Sequence, residues 1–222
     1  DMAFMYFKQG KYDKAKKHID RSLILYKGIN DIKGQAKNLI LLGEIDRIKS
    51  NYSQALKKYR EGLDLFKKIN YQKGIAAAFN VIGLIYQEQG NHNKALLFLN
   101  NSLKIRKELG DKSGIATSLN NIGILYYFQE DFEKTLELFT KSLQIERELD
   151  NKQGIARGLN NVGAIYSELG KTKEAIEKYK KSLIIYKEIG YRIGEALSYN
   201  NIGDLQLKDS LYDSALEYYG HS

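Results

Sequence analysis

The stretch SGIATSLNNIGILYY, residues 113–127, decides the fold because the chain repeats it at a fixed spacing. Forty residues later, at 153–167, the sequence reads QGIARGLNNVGAIYS, and forty residues earlier, at 73–87, it reads KGIAAAFNVIGLIYQ. Two glycine series keep the same register without an insertion: Gly34, Gly74, Gly114, Gly154 and Gly194, and Gly43, Gly83, Gly123, Gly163 and Gly203. A period between about 20 and 50 residues is typical of solenoid proteins. We therefore interpret the chain as an array of one repeated unit.

Each unit divides into two segments with the spacing of an α-helix. The apolar positions are Ile115, Leu119, Ile122 and Tyr126 in the first segment, and Phe132, Leu136, Phe139 and Leu143 in the second. Steps of three and four residues place such positions on one helical face. Because only a short turn separates the two segments, they are predicted to pack as an antiparallel hairpin. The fold class is therefore all-α, a solenoid of antiparallel helix hairpins.

Helix starts and close contacts are also predicted from single residues. Asp31, Asp111 and Asn151 precede first helices and are suited to cap them. A glycine in the middle of a helix costs about 0.5–1 kcal/mol relative to alanine. Glycines at one phase of every unit therefore indicate places where two helices approach closely.

Composition and charge exclude several classes of protein. The 222 residues contain no cysteine, so disulfides, cysteine-based zinc sites and thiol nucleophiles are excluded. No apolar run is long enough to span a bilayer, so we expect no membrane insertion. The net charge is +8, but residues 111–150 carry four basic and eight acidic side chains, which breaks any continuous basic track. We therefore expect no nucleic-acid partner.

Chemistry-bearing residues do not form a catalytic pattern. The histidines His18, His92 and His221 are far apart and lack metal-ligand spacing. Glu146 and Glu148 stand two residues apart and are expected on a helix surface. We predict no enzymatic activity, no metal and no cofactor.

The register also sets the expected domain organisation. Residues 1–222 are predicted to form a single array with a partial repeat at 1–30, full repeats at 31–70, 71–110, 111–150 and 151–190, and a partial repeat at 191–222. We expect the chain to be part of a longer protein, since neither end carries a polar capping element. Apolar side chains at the two ends are then expected to support end-to-end self-association: Met2, Phe4, Met5, Phe7, Leu216 and Tyr219.

The repeat resembles the tetratricopeptide repeat (TPR). The resemblance is carried by Leu119, Ile122-Gly123 and Tyr126 in the first helix, and by Phe132, Thr135, Phe139 and Ser142 in the second. The usual unit has about 34 residues, so this chain looks like the 40-residue variant of kinesin light chains, Pins-type scaffolds and bacterial sensor regions. Asp46 and Gln206 depart from the pattern, since tyrosine is the residue at Tyr86, Tyr126 and Tyr166. The resemblance implies a right-handed superhelix and a non-enzymatic scaffold that binds a protein or peptide.

In this family, a second face of each first helix lines a concave groove. Here that face carries a repeated asparagine pair, whose amide offers donors and acceptors that match a peptide backbone. The expected groove residues are Asn80, Asn120, Asn121, Asn160, Asn161, Asn200 and Asn201, with Arg157, Glu44 and Asp204 adding charge selection and Tyr127 and Phe128 adding apolar contact.

Several alternatives stay open at this point. One asparagine of each pair could serve only to hydrogen-bond the neighbouring repeat. The array could be the sensory input region of a larger bacterial signalling protein, such as a histidine kinase or cyclase, or a structural self-stacking array. A cytoplasmic location is favoured, with a sensor region outside the cytoplasm as the alternative.

Overall fold

The computed structural model describes residues 2–208 and 211–220, so His221 lies outside the described residues. Those residues form twelve α-helices and no strand. The helices are α1 (Met2–Lys8), α2 (Tyr12–Gly28), α3 (Ile32–Ile48), α4 (Tyr52–Lys68), α5 (Gln72–Glu88), α6 (His92–Glu108), α7 (Lys112–Tyr127), α8 (Phe132–Glu148), α9 (Lys152–Glu168), α10 (Thr172–Glu188), α11 (Arg192–Lys208) and α12 (Tyr212–Gly220). The predicted all-α class is confirmed.

The chain forms two compact units, residues 1–110 and 111–222, and each is a stack of antiparallel helix hairpins of the α-solenoid class. Within the first unit α3 packs on α4 and α5 on α6, and within the second α7 packs on α8 and α9 on α10. First helices of successive hairpins also touch directly, α3 with α5 and α9 with α11. A single continuous array and its right-handed superhelix remain predictions.

Apolar side chains join each hairpin to the next. Between α8 and α9, Phe139 and Leu143 pack against Leu159, Val162 and Ile165, all five of them buried. Within the hairpins, buried serine hydroxyls on the second helix donate to carbonyls of the first: Ser102 to Ala76 at 2.8 Å, Ser142 to Ala116 at 2.9 Å and Ser182 to Ala156 at 2.8 Å. These hydroxyl–carbonyl bonds satisfy polar groups inside the stack.

Every described turn between helices up to residue 190 uses one residue in the left-handed conformation. At Glu130 φ is +59°, its N–H donates to the carbonyl of Tyr127 at 2.9 Å, and the N–H of Asp131 donates to the carbonyl of Tyr126 at 3.0 Å. This is the Schellman arrangement that ends a helix. The left-handed residues recur every twenty positions: Gly10, Asn30, Ser50, Asn70, Gly90, Gly110, Glu130, Asp150, Gly170 and Gly190.

The residue after each left-handed position directly precedes the next helix. The predicted caps are confirmed, because Asp31 accepts from the N–H of Gly34 at 2.9 Å, Asp111 from Gly114 at 3.1 Å and Asn151 from Gly154 at 3.2 Å. At these three positions a short turn therefore ends one helix and caps the next.

The mid-helix glycines lie where the two helices of a hairpin come closest. A Cβ placed on Gly123 would sit 2.7 Å from Cε1 of Phe139, and one on Gly163 would sit 2.8 Å from Cε1 of Tyr179. The predicted close contact is confirmed, since real Cβ atoms do not approach a neighbour at these distances.

Several of the apolar side chains at the two ends of the chain are exposed. Met2, Phe4, Met5 and Leu216 are exposed, whereas Phe7 packs edge-on against Tyr12 with 5.7 Å between ring centroids. Self-association through these side chains remains a prediction.

Replacing Gly123 by alanine is expected to lower the free energy of unfolding by about 1–2 kcal/mol. Overpacking typically costs about 1–3 kcal/mol, and the gain in helix propensity offsets only part of it. Urea unfolding followed by circular dichroism measures the change. Gly28→Ala is the control, because nothing lies within 4 Å of a Cβ at Gly28, and it should not destabilise the protein.

Replacing Glu130 by glycine is expected to raise the free energy of unfolding by about 0.5–1 kcal/mol. A residue with a side chain pays about 1–2 kcal/mol for the left-handed conformation, and glycine removes this cost. Glycine also makes the unfolded chain more flexible, which reduces the gain in stability by about 0.4–1 kcal/mol. Thermal melts compare it with Glu133→Gly, an exposed position inside α8, which should be destabilised. A loss of stability in Glu130→Gly would contradict the turn geometry.

Candidate functional site

The asparagine pairs of the second unit bond to each other between successive first helices. Asn161 on α9 donates its Nδ2 to Oδ1 of Asn120 on α7 at 2.8 Å. Asn201 on α11 donates its Nδ2 to Oδ1 of Asn160 on α9 at 3.1 Å. The second asparagine of one pair thus contacts the first asparagine of the preceding pair, so the inter-repeat hydrogen bond considered as an alternative is present.

These bonds fix the orientation of each amide. Among the described residues, Nδ2 of Asn120 and of Asn160 and Oδ1 of Asn161 and of Asn201 make no further hydrogen bond. Asn120, Asn161 and Asn201 are half-buried, Asn160 is buried and Asn200 on α11 is exposed. The pairs therefore combine a structural bond with unused donors and acceptors in defined directions.

The remaining predicted asparagines lie on α5 and α7. Asn80 is buried on α5 in the first unit, where the residues forty positions earlier are apolar, Ile40 and Leu41. Asn121 is half-buried on α7 in the second unit. A ladder that continues from Asn80 to Asn120 and Asn121 stays a prediction.

Arg157 lies beside Glu146, a carboxylate whose burial was not predicted from the sequence. Glu146 was expected on a helix surface but is only 3% exposed. Its side chain lies under Gly154, Asn151 donates to its Oε2 at 2.7 Å, and Nη2 of Arg157 is 3.6 Å from its Oε1. Arg157 is otherwise more than half exposed, so its charge is partly balanced from below while its outer side stays open to solvent.

Tyr127 takes part in a second contact between repeats. Its hydroxyl donates to Oε1 of Glu168 at 3.0 Å, and its ring packs 5.9 Å from the rings of both Phe128 and Phe132. Burial and the carboxylate of Glu168 raise the pKa of Tyr127. The hydroxyl therefore stays protonated as a donor.

The two groove acids predicted to select charge bind tyrosine hydroxyls of their own hairpins. Tyr59 donates to Glu44 at 2.6 Å, and Tyr219 donates to Asp204 at 2.7 Å. Glu44 also bonds Arg47 at 3.0 Å, so its charge is satisfied internally. Burial first, and then Glu44, raise the pKa of Tyr59. Asp204 is exposed and keeps one carboxylate oxygen available.

A cleft of about 380 Å³ opens beside Asn201 and Asp204, between α9, α10 and α11. Its lining includes Glu168 and Tyr179, which the sequence did not single out. A signal for Tyr179 does exist in the repeat register. Tyrosines at 59 and 219 stand fifteen residues after an acid, whereas the residue fifteen positions before Tyr179 is Ala164.

The described residues contain neither a metal-binding cluster nor a helix that could span a membrane. Across residues 2–208 and 211–220, no three histidine or acidic side chains come together in a way that could hold a metal ion. No helix in the described part of the chain combines the length and the apolar character needed to cross a bilayer.

Comparison with known proteins identifies relatives of the fold. BtubC (BKLC) from P. vanneervenii matches with a TM-score of 0.77 and 18% identity over 94% of this chain and 85% of that one. A Rap protein complexed with competence and sporulation factor matches with a TM-score of 0.76 and 17% identity, over 98% of this chain and 71% of the Rap chain. A signal transduction ATPase (STAND) from Pyrococcus horikoshii with a tetratricopeptide repeat sensor matches with a TM-score of 0.76 and 19% identity. The match covers 99% of this chain and 35% of the ATPase chain. At such identities, the likeness shows the fold alone.

At the level of sequence, no curated protein gives a significant match. The tetratricopeptide repeat family model matches residues 1–68, 74–148 and 154–222, which is nearly the whole chain. Together with the hairpins and their forty-residue register, this match shows that the chain belongs to the tetratricopeptide repeat family.

Proposed function

We propose that the second unit is a non-enzymatic module that binds an extended segment of a partner protein along its first helices. We call the surface formed by residues 117, 120, 121, 124, 157, 160, 161, 164, 197, 200, 201 and 204 the groove face. The observation that carries the proposal is the pair of asparagine–asparagine bonds on this face, Asn161 to Asn120 and Asn201 to Asn160.

The physical argument rests on the amides that these bonds orient. Helix backbones satisfy their own hydrogen bonds, so a helical surface can bind a peptide backbone only through side chains. Asn120 offers an Nδ2 donor and Asn161 an Oδ1 acceptor at fixed positions, and the next repeat offers the same pair. Groups fixed before binding cost less side-chain entropy when the partner arrives.

Selectivity would come from the side chains that flank the asparagines. Arg157 supplies a positive charge, Asp204 a negative one, and Tyr127 and Phe128 an apolar contact beside them. These groups differ between repeats, while the asparagines do not. The face would therefore bind backbone everywhere and read side chains locally.

The named neighbours agree with a binding role. The Rap structure contains competence and sporulation factor, and the STAND protein carries its tetratricopeptide repeats as a sensor. A sensory role within a larger protein is the second candidate, and it would use the same face to detect its ligand. Both candidates treat the chain as a scaffold without chemistry of its own.

The contribution of the asparagines to stability is measured first, on the protein without a bound partner. Asn161→Ala is expected to lower the free energy of unfolding by about 0.5–1.5 kcal/mol, because it removes one inter-repeat hydrogen bond. Asn200→Ala, at an exposed position with no recorded bond among the described residues, should change it by less than about 0.5 kcal/mol. Urea unfolding compares the two variants. Equal losses would show that the bond to Asn120 carries no stability.

The contribution of the asparagines to binding is measured with a peptide. This peptide is first selected from a random display library for binding to the unmutated chain. Replacing Asn120, Asn121, Asn160 and Asn161 together by alanine should weaken its Kd at least about tenfold, because four lost bonds exceed the 1.4 kcal/mol that a factor of ten requires. Fluorescence anisotropy measures the Kd, and circular dichroism checks that the variant stays helical.

Asn100→Ala is the matched control, since Asn100 is an exposed asparagine on a second helix, α6. Its Kd should equal that of the unmutated chain. A helical quadruple variant that binds the peptide within twofold of the unmutated chain would refute recognition by the groove face. A quadruple variant that unfolds would show that the asparagines are structural.

A further inference from the structure

The cleft beside Asn201 and Asp204 lies on the groove face, where α9 and α11 face each other above α10. The lining residues that matter are Ala164, Glu168, Tyr179, Asn201, Asp204 and Lys208. Its volume of about 380 Å³ is at the small end of the range of ligand pockets. One long side chain of a bound segment would fit within it.

The floor of the cleft holds a buried tyrosine whose hydroxyl reaches the open space. Tyr179 is only 3% exposed, and its hydroxyl makes no hydrogen bond to any residue in 2–208 or 211–220. In the hairpin of α3 and α4, the equivalent tyrosine Tyr59 reaches Glu44. The residue equivalent to Glu44 is Ala164, which lines the cleft, so the hydroxyl of Tyr179 ends at an open space where another hairpin has a carboxylate.

The same comparison shows that this hairpin is the exception among the five hairpins from α3 to α12. Where residue 99 or 139 is Leu or Phe, the residue fifteen positions earlier is also apolar, Leu84 or Ile124. In the hairpins that have Tyr59 and Tyr219, the residue fifteen positions earlier is an acid, Glu44 or Asp204. Ala164 and Tyr179 fit neither pattern, because the tyrosine is kept and its acid is absent.

The walls of the cleft are rich in acceptors. Tyr127 bonds one oxygen of Glu168 and Tyr219 one oxygen of Asp204, which leaves the second oxygen of each carboxylate unused among the described residues. Asn201 uses its Nδ2 on Asn160, so its Oδ1 remains. Two carboxylates face one cation, Lys208, for which no ion pair is recorded among the described residues.

We infer that this cleft binds the basic side chain of a residue in the partner segment, with Glu168, Asp204 and Asn201 accepting from it over the hydroxyl of Tyr179. This inference rests on the proposed function, because it names one subsite of the groove face. A guanidinium fits best, since its five N–H donors can reach several acceptors at once.

The electrostatics of Tyr179 agree with a site that attracts positive charge. Burial, followed by the carboxylates of Glu168 and Asp204, raises the pKa of Tyr179 to about 12. The ring therefore lies in the negative potential of both carboxylates. A cation in the cleft would be drawn by the same potential.

The test titrates the ¹⁵N-labelled chain with N-acetyl-argininamide and, separately, with N-acetyl-citrullinamide, its neutral counterpart of nearly the same shape. The arginine derivative is expected to shift the amide signals of residues 164–168 and 201–208 in a saturable way. The citrulline derivative should bind at least fivefold more weakly. Equal binding of the two, or shifts confined to other residues, would overturn the inference.

Two variants of the cleft separate charge from packing. Glu168→Gln combined with Asp204→Asn should weaken the arginine derivative at least fivefold, whereas Glu177→Gln, an exposed acid paired with Lys181 on α10, should leave it unchanged. Tyr179→Phe should weaken binding without lowering the melting temperature, because its hydroxyl makes no hydrogen bond to a described residue. Tyr59→Phe should lower the melting temperature and leave binding unchanged. Unaltered binding in the double variant would also overturn the inference.

The outcome is independent of the test of the asparagines. If the arginine derivative fails to bind the cleft while the selected peptide still depends on the asparagines, the groove face stands and the basic subsite falls. If the asparagine variants bind their peptide normally while the arginine derivative occupies the cleft, the cleft is a cation site and the proposed function falls.

Discussion

The contact between a glycine of the first helix and a large side chain of the second is the constraint on which the rest of each hairpin depends. At Gly163 the ring of Tyr179 lies 2.8 Å from the place where a Cβ would be, so α9 and α10 can come close together only because residue 163 has no side chain. Such a contact also carries the far end of the ring past the first helix toward the groove face. The glycine contact that sets the distance between the two helices thereby also determines which polar group reaches the groove face.

The unbroken forty-residue period converts this local geometry into contacts between repeats. Equivalent positions of successive first helices stand next to each other, so residues 41 apart meet: Asn120 with Asn161, Tyr127 with Glu168, and Arg47 with Glu88 at 2.5 Å. In a solenoid each repeat contacts only its neighbours. A residue type that bonds its own copy can therefore be repeated along the array, and an asparagine does so because its amide both donates and accepts.

The fold could be predicted from the sequence because its determinants are local. Periodicity located the helices, Asp31, Asp111 and Asn151 marked their starts, and the glycines marked the close contacts. Side-chain partners could be predicted less well, because they depend on how two helices meet. Glu146 was assigned to the surface, although it occupies the position where other hairpins have Tyr26, Phe66 or Tyr186 against a glycine. The direction of the asparagine bonds likewise needs the offset between helices.

Tyr179 and Glu168 were missed for a different reason, since each is ordinary when viewed alone. The cleft arises from what is absent at residue 164, where alanine leaves both the space and the partner that Glu44 provides for Tyr59. In a compact single-core domain such a gap would be uncommon, because its interior is packed with few voids larger than a water molecule. A stack of hairpins keeps it open, since the helices on either side are held by their own glycine contacts and asparagine bonds. Within a regular array, binding specificity can therefore arise where one repeat departs from the pattern of the others.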